Sequence, residues 1–168
     1  PTLPLASQHQ ETTHPALACS SSNVVAWHGN KVYYSQALEY HQKALVIRLK
    51  KLGPDQTSVA GRYINIGLAY DAKGEYDKAL EYYQKSLAIR LKQLGADHPS
   101  EATSYNNIGL VYKKKGEYDK ALEYYQKALA IRLKQLGADH PAVATSYNNI
   151  GLVYDNKAEY DKALEYYQ

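Results

Sequence analysis

The sequence predicts an all-α fold, a right-handed α-solenoid of stacked helix-turn-helix units, and three observations carry that prediction. A unit of 42 residues recurs along the chain almost unchanged. Each copy holds two stretches whose apolar residues return at three- to four-residue spacing. Neither stretch could bury its apolar side alone, so neighbouring pairs must stack on one another. The copying is close to literal. "YINIGLAYDAKGEYDKALEYYQKSLAIRLKQLGADHP" (63–99) matches "YNNIGLVYKKKGEYDKALEYYQKALAIRLKQLGADHP" (105–141) at 32 of 37 positions, and residues 147–168 match residues 105–126 at 19 of 22.

The elements follow in order. Residues 1–12, "PTLPLASQHQET", carry two prolines where a preceding helix would run and read as an extended or disordered lead. Residues 13–54 form a degenerate first repeat. There "THPALACSSSNVVAWHG" sets the only cysteine and the only tryptophan between two histidines, which invites a thiol-and-base reading. His14 and Pro15, however, lie two periods before His98 and Pro99. In that frame Cys19 takes the place of Thr145, Trp27 of Val153 and His28 of Tyr154, so all three are substituted repeat positions. "YSQALEYHQKALVIRLKKLG" (34–53) continues the frame as a second helix. Repeats two, three and four span 55–96, 97–138 and 139–168, the last truncated in its second helix. In repeat three, Pro99 suits a first helical turn. Tyr105, Ile108, Gly109 and Tyr112 mark helix A, ending near Gly116. Helix B runs from about Glu117 through Ala121, Leu122, Tyr125, Leu129, Leu133 and Leu136 to Gly137, a residue suited to a C′ position; its length is about 30 Å. Ala158 stands where Gly74 and Gly116 separate the helices, and a positive φ there would cost alanine about 1 kcal/mol.

Composition bounds the function classes. With 20 basic and 17 acidic residues interspersed, the formal charge is +3, and no nucleic-acid footprint is evident. No stretch approaches a membrane span. One cysteine cannot form an internal disulfide, which fits a reducing, cytoplasmic setting. The first residues have neither the basic start nor the apolar core of a signal peptide and no initiator methionine, so a fragment or processed chain is expected, its array continuing beyond Gln168. Eighteen tyrosines without phenylalanine or methionine are what copying one unit produces. No phosphate-cradling glycine loop, nucleophile elbow or paired-cysteine spacing occurs, so neither catalysis nor a cofactor is expected. His98 and His140, in Asp-His-Pro connectors, are expected to shape a turn and cap a helix rather than bind a metal.

The small and aromatic positions Gly109, Tyr112, Ala121, Tyr125 and Ala128 resemble the tetratricopeptide repeat signature. They recur as Gly67, Tyr70, Ala79, Tyr83 and Ser86, and as Gly151, Tyr154, Ala163 and Tyr167. The long period and the LG-D-HP connector resemble the kinesin light chain and nephrocystin-like subfamily, over roughly residues 14–168. Val25 departs from the helix A glycine, His28 and His41 from tyrosines, and Gln56 and Thr57 from one His-Pro pair. The resemblance implies that helix A lines a concave face on which an extended peptide or a partner helix lies.

One stripe of helix A carries Gly61, Asn65, Leu68 and Ala72 in repeat two, Thr103, Asn107, Leu110 and Lys114 in repeat three, and Thr145, Asn149, Leu152 and Asn156 in repeat four. Asn23 keeps the asparagine in the first copy. The ladder Asn23, Asn65, Asn107 and Asn149, with the adjacent Asn106 and Asn148, offers donors and acceptors suited to gripping a ligand's main chain. Leu68, Leu110 and Leu152 would add apolar contact. The same amides could instead bond neighbouring helices. Lys114 could hold an acidic peptide, or the Lys113 to Lys115 run could be a solvated helix-end cap, the reading favoured here. Thr103 and Asn106 stand where the carboxylate clamp of chaperone-binding relatives needs lysines, so a chaperone-tail binder is not expected. Tyrosine pairs such as Tyr82-Tyr83 could stack bases, but one of each pair is expected in the core. The sequence thus points to a non-enzymatic module that binds a protein or peptide ligand, with no nucleic-acid or membrane partner. Alternatives are the sensor array of a larger signalling NTPase, or self-association through the C-terminal repeat end.

Overall fold

The computed structural model describes residues 31–54 and 56–168. Asn23, Cys19, Trp27, His28, Val25 and the lead over residues 1–12 lie outside the described residues. Within them the chain is built of seven helices: α1 (Lys31–Leu52), α2 (Thr57–Ala72), α3 (Tyr76–Leu94), α4 (Pro99–Lys114), α5 (Tyr118–Leu136), α6 (Pro141–Asn156) and α7 (Tyr160–Tyr167). The helix A elements α2, α4 and α6 alternate with the helix B elements α3, α5 and α7, each packing on its chain neighbours to give an α-solenoid.

The chemistry of the turns explains these boundaries. His98 and His140 are the N-caps of α4 and α6: Nδ1 of each accepts the backbone N–H two residues on, at 3.2 and 3.1 Å, with proline in the first turn behind it. This is the capping role the connectors suggest, performed by imidazole rather than by a hydroxyl or carboxylate. Between helices A and B the chain turns through Gly74 at φ 77° and Gly116 at φ 76°, and Ala158 adopts the same left-handed backbone at 59°. Glu75 N–H closes back to the Tyr70 carbonyl at 2.9 Å, and Glu159 to Tyr154 at the same distance, so alanine takes the turn of its glycine siblings. In the first copy the corresponding position is 32. There α1 begins at Lys31, three residues ahead of the place where its siblings start.

The helices pair through a size match. Tyr83 and Tyr125 are buried to 1% exposure over the backbone of Gly67 and Gly109, and a Cβ added to Gly109 would lie 2.9 Å from the Tyr125 ring. A side chain there would drive the helices apart. Gly151 meets Tyr167 in the same way. The second tyrosine of each pair is packed too. Tyr82 lies between Tyr70, stacked with centroids 5.4 Å apart, and Tyr63; Tyr124 lies between Tyr112 at 5.5 Å and Tyr105; Lys85 and Lys127 cover their outer faces. Both rings of a pair are therefore engaged within the repeat, where only one was expected. Apolar side chains from α1 through α4, including Leu45, Ile66, Leu80 and Ile108, share one cluster, so the core runs across repeat boundaries.

Candidate functional site

Helix A turns its glycine side toward helix B, which leaves the opposite stripe facing solvent. Leu68, Ala72, Thr103, Lys114, Thr145 and Asn156 are exposed along it, and Asn65, Asn107 and Asn149 are half-buried at its centre. Leu68 is 40% exposed, whereas Leu110 leans onto the core cluster formed by Tyr125, Ile150 and Val153. Leu152 is likewise half-buried. The stripe read from the sequence is thus exposed at Leu68, Thr103 and Thr145 and half-buried at its asparagines, Leu110 and Leu152.

The asparagines on it are not equivalent. Asn149 Nδ2 donates to Asn106 Oδ1 at 2.9 Å, tying α6 to α4. In the preceding pair of repeats the place of Asn106 is held by Ile64, so Asn107 has no such acceptor. Asn65 and Asn107 make no side-chain hydrogen bond among the described residues. Two rungs are therefore free, and one braces neighbouring helices. Asn148 is exposed beside Asn149.

Lys114 is bound differently from the expected solvated cap. Its ammonium sits 2.8 and 2.7 Å from the two carboxylate oxygens of Asp71, whose side chain is only 8% exposed. Lys115 in turn pairs with Asp77 and Glu117, at 2.7 and 3.0 Å. Lys114 is drawn in because buried Asp71 needs a counter-charge. No residue along the chain between them reveals this pair. The signal is a separation of 43, one more than the period, which the Asn106 to Asn149 bond shares. Burial, and then the Asp71 carboxylate, push the Tyr83 and Tyr125 phenols up, so both stay protonated beside the pair.

Two arginines unmarked by sequence reasoning join the repeats from behind. Arg132 Nη1 donates to the Ala142 carbonyl at 3.1 Å and to Ser146 Oγ at 2.7 Å, while Arg90 Nη1 makes the same bonds to Ser100 and, at 3.2 Å, to Ser104. The paired Arg-to-Ser separation of 14 residues in both junctions was the available clue. No group of three or more His, Cys, Asp or Glu residues able to hold a metal occurs among the described residues, and none of their helices is long and apolar enough to cross a membrane.

No curated protein matches the chain in sequence. Among solved structures, it is similar to the kinesin light chain-type, nearly identical TPR-like repeats of Podosopora anserina, with a TM-score of 0.77 and 24% identity over 92% of this chain and 73% of that one. It is also similar to BtubC (BKLC) of P. vanneervenii, with a TM-score of 0.62 and 22% identity over 90% and 69% of the two chains. The apo form of RapI matches with a TM-score of 0.71 and 23% identity, over 93% of this chain and 55% of that one. These likenesses extend to the fold. The tetratricopeptide repeat profile matches in three overlapping windows, residues 34–92, 63–134 and 100–168. With those matches, and with helix pairs locked by glycine against tyrosine inside them, this chain is a member of the tetratricopeptide repeat family.

Proposed function

We propose that the chain is a non-catalytic interaction module whose helix A stripe binds an extended peptide segment of a partner protein. The repeat fold generally serves protein interaction, and the stripe supplies a means. The observation that carries the reading is the pair of amides on Asn65 and Asn107, each half-buried and without a side-chain hydrogen bond among the described residues. Such an amide offers one acceptor and two N–H donors, the complement of an extended main chain. Leu68 beside them offers apolar area to a ligand side chain. An isolated groove of this kind would bind in the micromolar range, about 8 kcal/mol.

The test is a random peptide display library passed over the 168-residue chain and over the Asn65→Ala/Asn107→Ala variant. Asn149 is left intact because it also braces α6 on α4. Enrichment of one extended motif, lost in the variant while helicity and melting hold, is the expected result. Enrichment undiminished by the substitutions would remove the amides from the mechanism. No enrichment on either protein would favour a spacer or self-assembling array.

A further inference from the structure

Asn65, Asn107 and Asn149 are one repeat position, yet the residue that stands before each of them in the preceding repeat is not the same. Asn149 Nδ2 donates to Oδ1 of Asn106, 43 positions earlier, at 2.9 Å. By the same offset Ile64 stands to Asn107 as Asn106 stands to Asn149. Ile64 is buried at 9% exposure, and its side chain has neither donor nor acceptor. The junction between repeats two and three is tied further along helix A instead, by Lys114 on Asp71. One junction therefore uses a stripe amide to hold its helices together, and the other leaves its stripe amide to solvent.

This difference changes what each amide can give a ligand. A primary amide has two N–H donors and one carbonyl oxygen. A ligand carbonyl that accepts from Asn65 or Asn107 displaces water. At Asn149 it must displace Asn106 Oδ1, so one intramolecular bond is lost for the one gained, and the exchange returns little.

We infer, building on the groove reading above, that Asn106 is a specificity-determining residue of the stripe: by holding the Asn149 amide it closes the third rung and confines the bound segment to the two rungs on α2 and α4. Asn106 is a positioning residue, acting through Asn149 without touching the ligand. Removing its acceptor opens repeat four and lengthens the segment that the stripe can hold.

The experiment joins NMR to peptide display on the whole chain. In the unsubstituted protein the side-chain amide protons of Asn149 should exchange with water slowly and those of Asn65 and Asn107 fast. Asn106→Ile, which installs the residue that repeat two carries, should bring Asn149 to the rate of the other two. Asn106→Ala, which removes the acceptor without adding bulk, should do the same. Asn106→Asp keeps an acceptor oxygen and should leave Asn149 slow. A random peptide library selected on Asn106→Ile should yield a longer motif than the one selected on the unsubstituted chain. Adding Asn149→Ala to that variant should weaken the longer peptides roughly three- to tenfold. Fast exchange at Asn149 in the unsubstituted protein would overturn the inference, as would motifs of equal length or longer ones indifferent to Asn149→Ala. Enrichment on neither chain is a separate outcome: it removes the groove reading itself, and this inference with it.

Discussion

Ser86 fills a fully buried position that Ala44 and Ala128 hold in other copies, and its Oγ has no hydrogen-bond partner. An orphaned buried hydroxyl costs free energy that alanine does not incur. Ser86→Ala should therefore raise unfolding free energy by about 1 kcal/mol in urea titration. Glu101 fills a buried position that Val59 and Val143 hold in other copies, and Glu101→Val follows the same logic with a pH dependence. Burial, its largest influence, pushes the Glu101 carboxyl up from its ordinary value, so the folded chain holds this proton more tightly than the unfolded one. Stability from that proton is complete below about pH 4.5 and is lost as pH rises through the folded value. The valine variant should thus gain about 1 to 2 kcal/mol over the parent at pH 7, and the gain should shrink as titrations are repeated toward about pH 4.5. Comparing copies within the sequence marks Ser86 and Glu101 as departures. Their cost is visible only once packing shows both positions sealed.

The helices themselves were legible because periodicity, proline and glycine all agree on where each begins and ends. The connectors were less so: Asp97 and Asp139 have the same neighbours on both sides for two residues, yet only Asp97 takes a positive φ. The interhelix turn is an intermediate case. Its sequence raised the question of whether position 158 needs positive φ, and the backbone answers that it does. Ala158→Gly should then stabilise α6 and α7 by about 1 kcal/mol, raising the thermal midpoint measured by circular dichroism. The cap on α6 predicts the opposite sign. His140→Ala removes the acceptor for the Ala142 amide and should lower stability by about 0.5 to 1 kcal/mol, with His140→Asp restoring it. The stripe on helix A is read from spacing alone; Leu68, Thr103 and Thr145 are exposed on it, whereas Leu110 packs on the core cluster. The partners of its polar groups were hidden, because Asp71 and Asn106 act from the neighbouring repeat.

Stacked repeats share stability between neighbours rather than over the whole molecule, so a pH change can strengthen one part and weaken another. His41 is buried, with Nδ1 unpartnered, in the place of Tyr83 and Tyr125. Burial, followed by the charge of Arg62, holds its imidazole below the ordinary histidine range. The stability tied to its neutral form is full above about pH 6.5 and is lost as pH falls below that through the folded value. Glu101 responds in the other direction. Lowering pH from about 7 to about 5 should reduce hydrogen-exchange protection in α1 and α2 while raising it in α4, after correction for intrinsic rates. A uniform change along the array would contradict this division.

The bridges offset by 43 residues bear on how a chain of near-duplicates keeps its order. Interchangeable units could dock on the wrong neighbour, since repeats two to four are close copies of one another. Asp71 with Lys114 is made from positions where the copies differ, whereas Asn106 with Asn149 differs between copies only on its acceptor side. Were repeat three skipped, repeat four would bring Asn156 to Asp71, leaving a sealed carboxylate without a cation. The contact acts as an address: a lysine at this position occurs in repeat three alone, so proofreading of the stacking order falls to a polar pair on an otherwise uniform apolar seam.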